Sequence, residues 1–169
     1  MNERYRILYE KNKRWIERKA VRKKIVLCAD KAATWYVVLS YLFVCAYALF
    51  VEKRCDGADY VRLFVLPAAC LIVVSLLRKI VNAKRPYESG ISPIAEKKRK
   101  GQSFPSRHLA STAAISGIAL FYLPVVGAIN ALACCVLSYT RFACGWHFPR
   151  DILCGFSLGA ICCIPLFFI

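Results

Sequence analysis

The sequence predicts an all-α fold, a multi-pass transmembrane helical bundle, and two observations support this prediction. Of the 169 residues, 59% are hydrophobic, yet the formal net charge is +15, so apolar and basic residues must be segregated along the chain. Long uncharged runs are the second observation, because a hydrocarbon core about 30 Å thick requires roughly 20 apolar helical residues. Together they are typical of an integral membrane protein, which we expect in the cell membrane.

Runs of suitable length predict about five spans. Arg62 is the one charge within the second run, and it lies near an end, where a long side chain can extend to the headgroups. The third run is too long for one span, and Pro124 and Gly127 divide it into two antiparallel helices. The predicted spans are residues 33–51, residues 60–77, the two halves of residues 109–140, and residues 152–169.

Residues 1–32 form a basic segment in front of the membrane-embedded domain, which we assign to residues 33–169. The segment is too long and too rich in Lys and Arg for a signal peptide, whose basic leader is short. Apolar residues such as Ile7, Leu8 and Trp15 alternate with basic ones, which favours a helix lying on anionic lipid. A solvated basic tail is the equally supported alternative. Either way, the expected partners of the basic segments are lipid headgroups and not nucleic acid.

The ten cysteines include no Cys-x-x-Cys pair, and most of them fall within apolar runs. We therefore interpret them as small hydrophobic residues and expect neither a zinc site nor a disulfide framework.

The only two histidines, His108 and His147, lie in polar clusters that interrupt apolar stretches. Ser106 precedes His108 at the start of a predicted helix, where it can act as a simple N-cap. A helix N-terminus also attracts anions, so Ser106, its neighbouring backbone amides and Arg107 could hold phosphate oxygens within reach of His108.

The second cluster is more specific, because it fixes four residue types over twelve positions between two spans. Asp151 follows His147 by four residues, so its carboxylate could orient the imidazole and leave the other ring nitrogen free to attack phosphorus. Arg141 ends the preceding span and could bind phosphate oxygens bidentately. The alternative is that Arg141, Arg150 and Asp151 are interfacial anchors and that His147 packs beside Trp146.

A third cluster begins with Arg78 and Lys79 and ends at Arg85. By itself it is the weakest of the three, because basic residues at the end of a span are usually membrane anchors. The later basic run, residues 97–100, is interpreted as a charged surface patch with no catalytic role.

Taken in order, the three clusters resemble the three-part signature of the type 2 phosphatidic acid phosphatase superfamily. Arg78 stands seven positions before Arg85-Pro86, residues 105–108 read Pro-Ser-Arg-His, and Thr140-Arg141 precedes His147 and Asp151 at the family's spacing. The superfamily contains integral-membrane lipid phosphate phosphatases and shares its fold with vanadium haloperoxidases and some acid phosphatases. The resemblance covers about residues 78–151 with their surrounding helices.

The resemblance implies a role for each matching residue. His147 is expected to become phosphorylated, Asp151 to orient it, and His108 to protonate the leaving oxygen. Phosphate binding is expected from Arg78, Arg85, Ser106 and Arg141. No metal or other cofactor is expected, since guanidinium groups replace the cation of many phosphoryl transfers.

Three departures from the family pattern are visible. The family usually has Lys where this chain has Arg78, so either Arg78 or the adjacent Lys79 could contact phosphate. Arg107 replaces the usual glycine before His108, and membrane members commonly have six spans.

The predicted function is hydrolysis of a lipid phosphate or isoprenyl diphosphate. Phosphotransfer to another acceptor and non-catalytic binding of anionic lipid are the alternatives, whereas a haloperoxidase is disfavoured because those relatives are soluble.

Overall fold

The structure, a computed structural model, describes residues 3–97 and 100–168, and these residues contain helices and loops but no β-strand. One π-helical turn follows the second helix and another precedes the fourth. Short 3₁₀ turns lie at 86–89 and 164–167. The helices are α1 (Glu3–Glu17), α2 (Ala20–Ala46, extended by a π turn at Tyr47–Val51), α3 (Gly57–Tyr60, followed by a π turn at Val61–Val65), α4 (Leu66–Val81), α5 (Arg107–Tyr122), α6 (Pro124–Ala143) and α7 (Pro149–Ile161).

The predicted all-helical transmembrane bundle is confirmed. Within the described residues, four helical segments are long and apolar enough to cross a membrane. The fifth helix of the bundle, α5, has 16 residues, about 24 Å at 1.5 Å per residue, and most of its length is buried among the others. The four long segments are Ala20–Val51, Gly57–Ser89, Pro124–Ala143 and Pro149–Phe167.

Proline residues fix where the helices begin and end. The long apolar run is divided as expected, since α5 ends at Tyr122 and α6 starts at Pro124. Pro67 lies in the first turn of α4 and cannot donate to the carbonyl of Leu63 four residues earlier. The hydroxyl of Tyr41 donates to that carbonyl instead, at 2.7 Å, and so joins α2 to the second span.

The last span lies where the sequence predicted it, at Pro149–Phe167, but it is not one continuous α-helix. Residues 152–169 were expected to be one helix, but α7 ends at Ile161 and a 3₁₀ turn follows over Ile164–Phe167. Pro165 explains this end, because it has no backbone N–H and its ring clashes with the preceding turn of an α-helix. Residue 169 lies outside the described part of the chain.

Helix α7 packs closely on α5 because two glycines of α7 face its backbone. A Cβ atom at Gly155 would lie 2.4 Å from the carbonyl oxygen of Ser106, and one at Gly159 would lie 2.3 Å from that of Ala110. Both distances are too short for any side chain. The contact holds the N-terminal ends of α5 and α7 together, and these ends lie at the two sequence clusters that contain His108 and His147.

The N-terminal segment packs against the loops between the spans. Helix α1 buries Tyr5, Tyr9 and Ile16, while Ile7 and Leu8 are exposed. Tyr9 donates a hydrogen bond of 2.9 Å to the carbonyl of Ser92. The predicted boundary at residue 32 falls inside α2, which begins at Ala20 and continues through it without a break.

Candidate active site

Residues that are distant in sequence line one cavity of about 100 Å³ at the end of the bundle where α4, α6 and the N-termini of α5 and α7 meet. We call it the cationic cavity, because five of its seven lining side chains are basic. These seven residues are Arg78, Arg85, Lys97, Arg107, His108, Arg141 and His147. All three sequence clusters contribute to it.

Arg78 and Lys79 point in different directions although they are adjacent. Arg78 lies in the last turn of α4, is 5% exposed, and donates from Nη1 to the carbonyl of Pro105 at 2.7 Å. Lys79 is exposed and does not line the cavity. One residue rotates a helical side chain by about 100°, so only one of the two can face the bundle interior.

Arg85 follows Asn82, whose left-handed backbone (φ 41°) ends α4 and turns the chain back toward the cavity. Its guanidinium donates to the carbonyls of Gly101 at 3.0 Å, Trp146 at 3.4 Å and Gln102 at 3.5 Å. Arg85 therefore ties the loop before α5 to the connection between α6 and α7, and it fixes the position of the cavity wall.

The cluster that contains His108 opens α5, with Ser106 as its N-cap residue. The backbone N–H of Ser106 donates to the carbonyl of Asp151 at 2.8 Å. Its hydroxyl is fully buried and has no hydrogen-bond partner among the described residues, and Ser106 is not one of the lining residues of the cavity. Arg107 and His108, the first two residues of α5, do line it.

Arg141, at the end of α6, is held by the N-terminal half of α2. Its Nε atom lies 3.0 Å from Oδ1 of Asp30, and its Nη2 atom lies 3.4 Å from the hydroxyl of Thr34. Thr140 donates to the same Asp30 oxygen at 2.8 Å. The carboxylate of Asp30 is 6% exposed, so a buried ion pair fixes the guanidinium at the cavity.

His147 and Asp151 lie side by side, but the hydrogen bond expected between them is not formed. Nδ1 of His147 lies 3.7 Å from Oδ2 of Asp151, which is longer than a hydrogen bond but close enough for an electrostatic contact. The same oxygen accepts from the hydroxyl of Ser103 at 2.5 Å and from the backbone N–H of Phe148 at 3.1 Å. Several donors thus orient Asp151. The edge of the His147 imidazole that faces away from Asp151 is left for the cavity.

Burial determines the protonation state of His147, which lies in the loop between two spans. It lowers the pKa of the imidazole to about 4, although the Asp151 carboxylate acts in the opposite direction. Arg85 and Arg78 add repulsion against the protonated form. At neutral pH the ring is therefore uncharged, and a ring nitrogen carries the lone pair that a nucleophile requires.

Three residues of the site were not found by sequence reasoning. Asp30 could have been suspected, because it is a carboxylate beside an apolar run, where an ionisable residue usually has a function. Lys97 was assigned to a surface patch, and nothing in a basic loop distinguishes one lysine from its neighbours. Ser103 has no signal in the sequence, since its role depends on a contact with a residue 48 positions away.

Loss of the Asp30 carboxylate is expected to weaken the site through Arg141. Asp30→Asn should lower kcat/KM about 10- to 100-fold, because a hydrogen bond to a charged group typically contributes 1.5–3 kcal/mol. Glu17→Gln, which removes an exposed carboxylate from the end of α1, is the matched control. Asp30→Glu should restore part of the activity. A folded Asp30→Asn protein with normal kcat/KM would show that Arg141 does not need this partner.

Comparison with known proteins agrees with this architecture. The family model described as the PAP2 superfamily matches residues 59–169, whereas no curated protein matches the sequence significantly. The fold is similar to the crystal structure of Aquifex aeolicus LpxE, with a TM-score of 0.72, 19% identity, and coverage of 96% of this chain and 93% of that one. It is also similar to the PAP2-type phosphatidylglycerolphosphate phosphatase of Bacillus subtilis, with a TM-score of 0.54, 21% identity, and coverage of 97% and 91%.

Proposed function

This chain belongs to the PAP2 superfamily, and from that premise we propose that it hydrolyses a lipid phosphate or isoprenyl diphosphate through a phosphohistidine intermediate, without a metal ion. One observation supports this proposal above all others. A neutral imidazole, His147, lines the same small cavity as Arg78, Arg85 and Arg141, with Asp151 behind it. That arrangement fits a nucleophile beside a bound phosphate.

In the first step, the ring nitrogen of His147 that faces the cavity attacks phosphorus as the bond to the leaving oxygen breaks. The leaving oxygen takes a proton from His108, which lines the same cavity. Burial and the neighbouring cations lower the pKa of His108 to about 3 in the empty cavity, so His108 would acquire this proton only when the negatively charged phosphate is bound. Asp151 stabilises the positive charge that develops on the His147 ring. Arg78, Arg85 and Arg141 would bind the phosphate oxygens, where charge-assisted hydrogen bonds also stabilise the transition state.

In the second step, water attacks the phosphohistidine and gives its proton to His108, which is now neutral. The N–P bond breaks, inorganic phosphate leaves, and both histidines return to their starting states. Lys79, although predicted to bind phosphate, has no part in this scheme, because its side chain is exposed outside the cavity. Ser106 is retained as a proposed phosphate ligand, since its buried hydroxyl is without a partner among the described residues.

An apolar groove of about 210 Å³ supports a lipid substrate. It shares Arg107 and His108 with the cationic cavity and continues between α2, α5 and α6 along Val38, Ile115 and Leu137. A phosphate bound in the cavity could therefore leave its hydrocarbon tail in the groove. An enzyme that spans the membrane and has such a site would take its substrate from the lipid phase, and we place it in the cell membrane.

Phosphate release tests the proposal directly. Purified protein should release inorganic phosphate from members of a panel of lipid phosphates and diphosphates, EDTA should leave the rate unchanged, and vanadate should inhibit as a mimic of pentacoordinate phosphorus. An obligatory requirement for Mg²⁺ would refute the mechanism. Transfer of the phosphoryl group to another lipid in place of water would identify a phosphotransferase. Binding of anionic lipid without any turnover would identify a non-catalytic protein.

A further inference from the structure

Two cations of the cationic cavity, Lys97 and Arg107, are outside the set that the family signature assigns to the transferred phosphate. Building on the proposed function, we propose that Lys97 and Arg107 form a second anion subsite, and that the preferred substrate is a lipid diphosphate. The terminal phosphate would lie beside His147. The phosphate next to the lipid tail would be bound by Lys97 and Arg107.

Lys97 is held at the cavity by a well-packed support. Its Nζ atom lies 3.4 Å from the centroid of the Trp146 ring, close enough for a cation–π interaction. Trp146 is 5% exposed, and its indole N–H donates to the carbonyl of Ala95 at 3.0 Å. The backbone N–H of Ile94 donates to the carbonyl of Cys144 at 3.4 Å. Lys97 is thus fixed to the connection that carries His147.

The charges at this position favour an additional anion. Within the described part of the chain, neither Lys97 nor Arg107 forms an ion pair with a carboxylate. Burial, together with repulsion from Arg141 and Arg85, lowers the pKa of Lys97 to about 8, so its charge is costly to keep without a ligand. Of the five basic side chains of the cavity, Arg141 is already paired with Asp30, and the remaining four exceed the roughly two negative charges of one phosphate ester. A second phosphate would balance the surplus.

The position of Arg107 indicates where the second phosphate would lie. Arg107 lines both the cationic cavity and the apolar groove, so it stands between the transferred phosphate and the tail. In a diphosphate, that place belongs to the phosphate bonded to the tail. When His147 attacks the terminal phosphorus, the bridging P–O bond breaks and His108 gives its proton to the bridging oxygen. The product is a lipid monophosphate, whose charge Lys97 and Arg107 would stabilise.

The subsite can be tested with two substrates that have the same tail and differ only in the number of phosphates, farnesyl monophosphate and farnesyl diphosphate. The unmodified protein should have the higher kcat/KM on the diphosphate. Lys97→Gln should lower that value about 10-fold or more, as expected for loss of one charge-assisted contact, and should change the value for the monophosphate by less than about threefold. Lys97→Arg should retain the preference. Lys100→Gln, in the same loop but exposed, is the matched control.

Each other result overturns the proposal in a recognisable way. An equal loss of kcat/KM on both substrates would assign Lys97 to the transferred phosphate. No loss on either substrate would show that Lys97 is only a surface charge, provided that thermal unfolding shows Lys97→Gln to be folded. A preference of the unmodified protein for the monophosphate, or turnover of other lipid phosphates but not of the diphosphate, would exclude the second subsite. Absence of phosphate release from every lipid tested would refute the proposed function itself, which separates the two failures.

Discussion

Replacement of His147 by asparagine is expected to lower kcat by at least about three orders of magnitude, because no other described side chain in the cationic cavity offers an uncharged nucleophile beside a carboxylate. Loss of a general acid typically costs 10²- to 10⁴-fold, so His108→Ala should also be severely impaired on a lipid phosphate. The two roles can be separated with p-nitrophenyl phosphate, whose leaving group needs little protonation. With that substrate His108→Ala should release a burst of about one p-nitrophenol per protein molecule and then turn over slowly, because His108 also assists the second step, whereas His147→Asn should release none.

Trapping of the intermediate provides the decisive control for this pair. Acid-labile phosphate should be found on the protein with His108→Ala and p-nitrophenyl phosphate, and it should be absent with His147→Asn. Thermal unfolding of both variants would show whether the bundle is intact. Near-normal activity in a folded His147→Asn protein would mean that the nucleophile has been misassigned.

Replacement of Arg78 by alanine is expected to lower kcat/KM about 10²- to 10³-fold, because its guanidinium both lines the cationic cavity and donates to Pro105 beside Ser106. Lys79→Ala should change kcat/KM by less than about threefold, since an exposed charge at the end of a span acts as a membrane anchor. Arg78→Lys should fall between these values, because an ammonium keeps the charge but cannot bind bidentately.

The adjacent pair is an internal control, since both variants remove one cation from the same helical turn. Measured side by side in the same detergent and on the same lipid phosphate, they report the direction of each side chain. A greater loss in Lys79→Ala would show that the end of α4 is rotated by one residue from the arrangement described above.

The sequence by itself determined the class of the fold and pointed to most of the residues that line the cationic cavity. Uncharged runs of about 20 residues can satisfy their backbone hydrogen bonds inside a membrane only as helices, so composition and run length were sufficient for the bundle. The division at Pro124 was also visible, because proline constrains its own backbone whatever surrounds it. Asp151 could be placed near His147 because the two are only four residues apart across the start of α7, which keeps their side chains within reach of each other.

Only the tertiary structure decided which charged residues face the cavity. The choice between Arg78 and Lys79 depends on the rotation of α4 against α5, and helical periodicity alone allows either register. The contact of Asp30 with Arg141 spans 111 positions, and the place of Lys97 depends on how one loop packs on Trp146. Such contacts leave no local pattern in a sequence, because they arise from the packing of whole helices and not from the propensities of neighbouring residues.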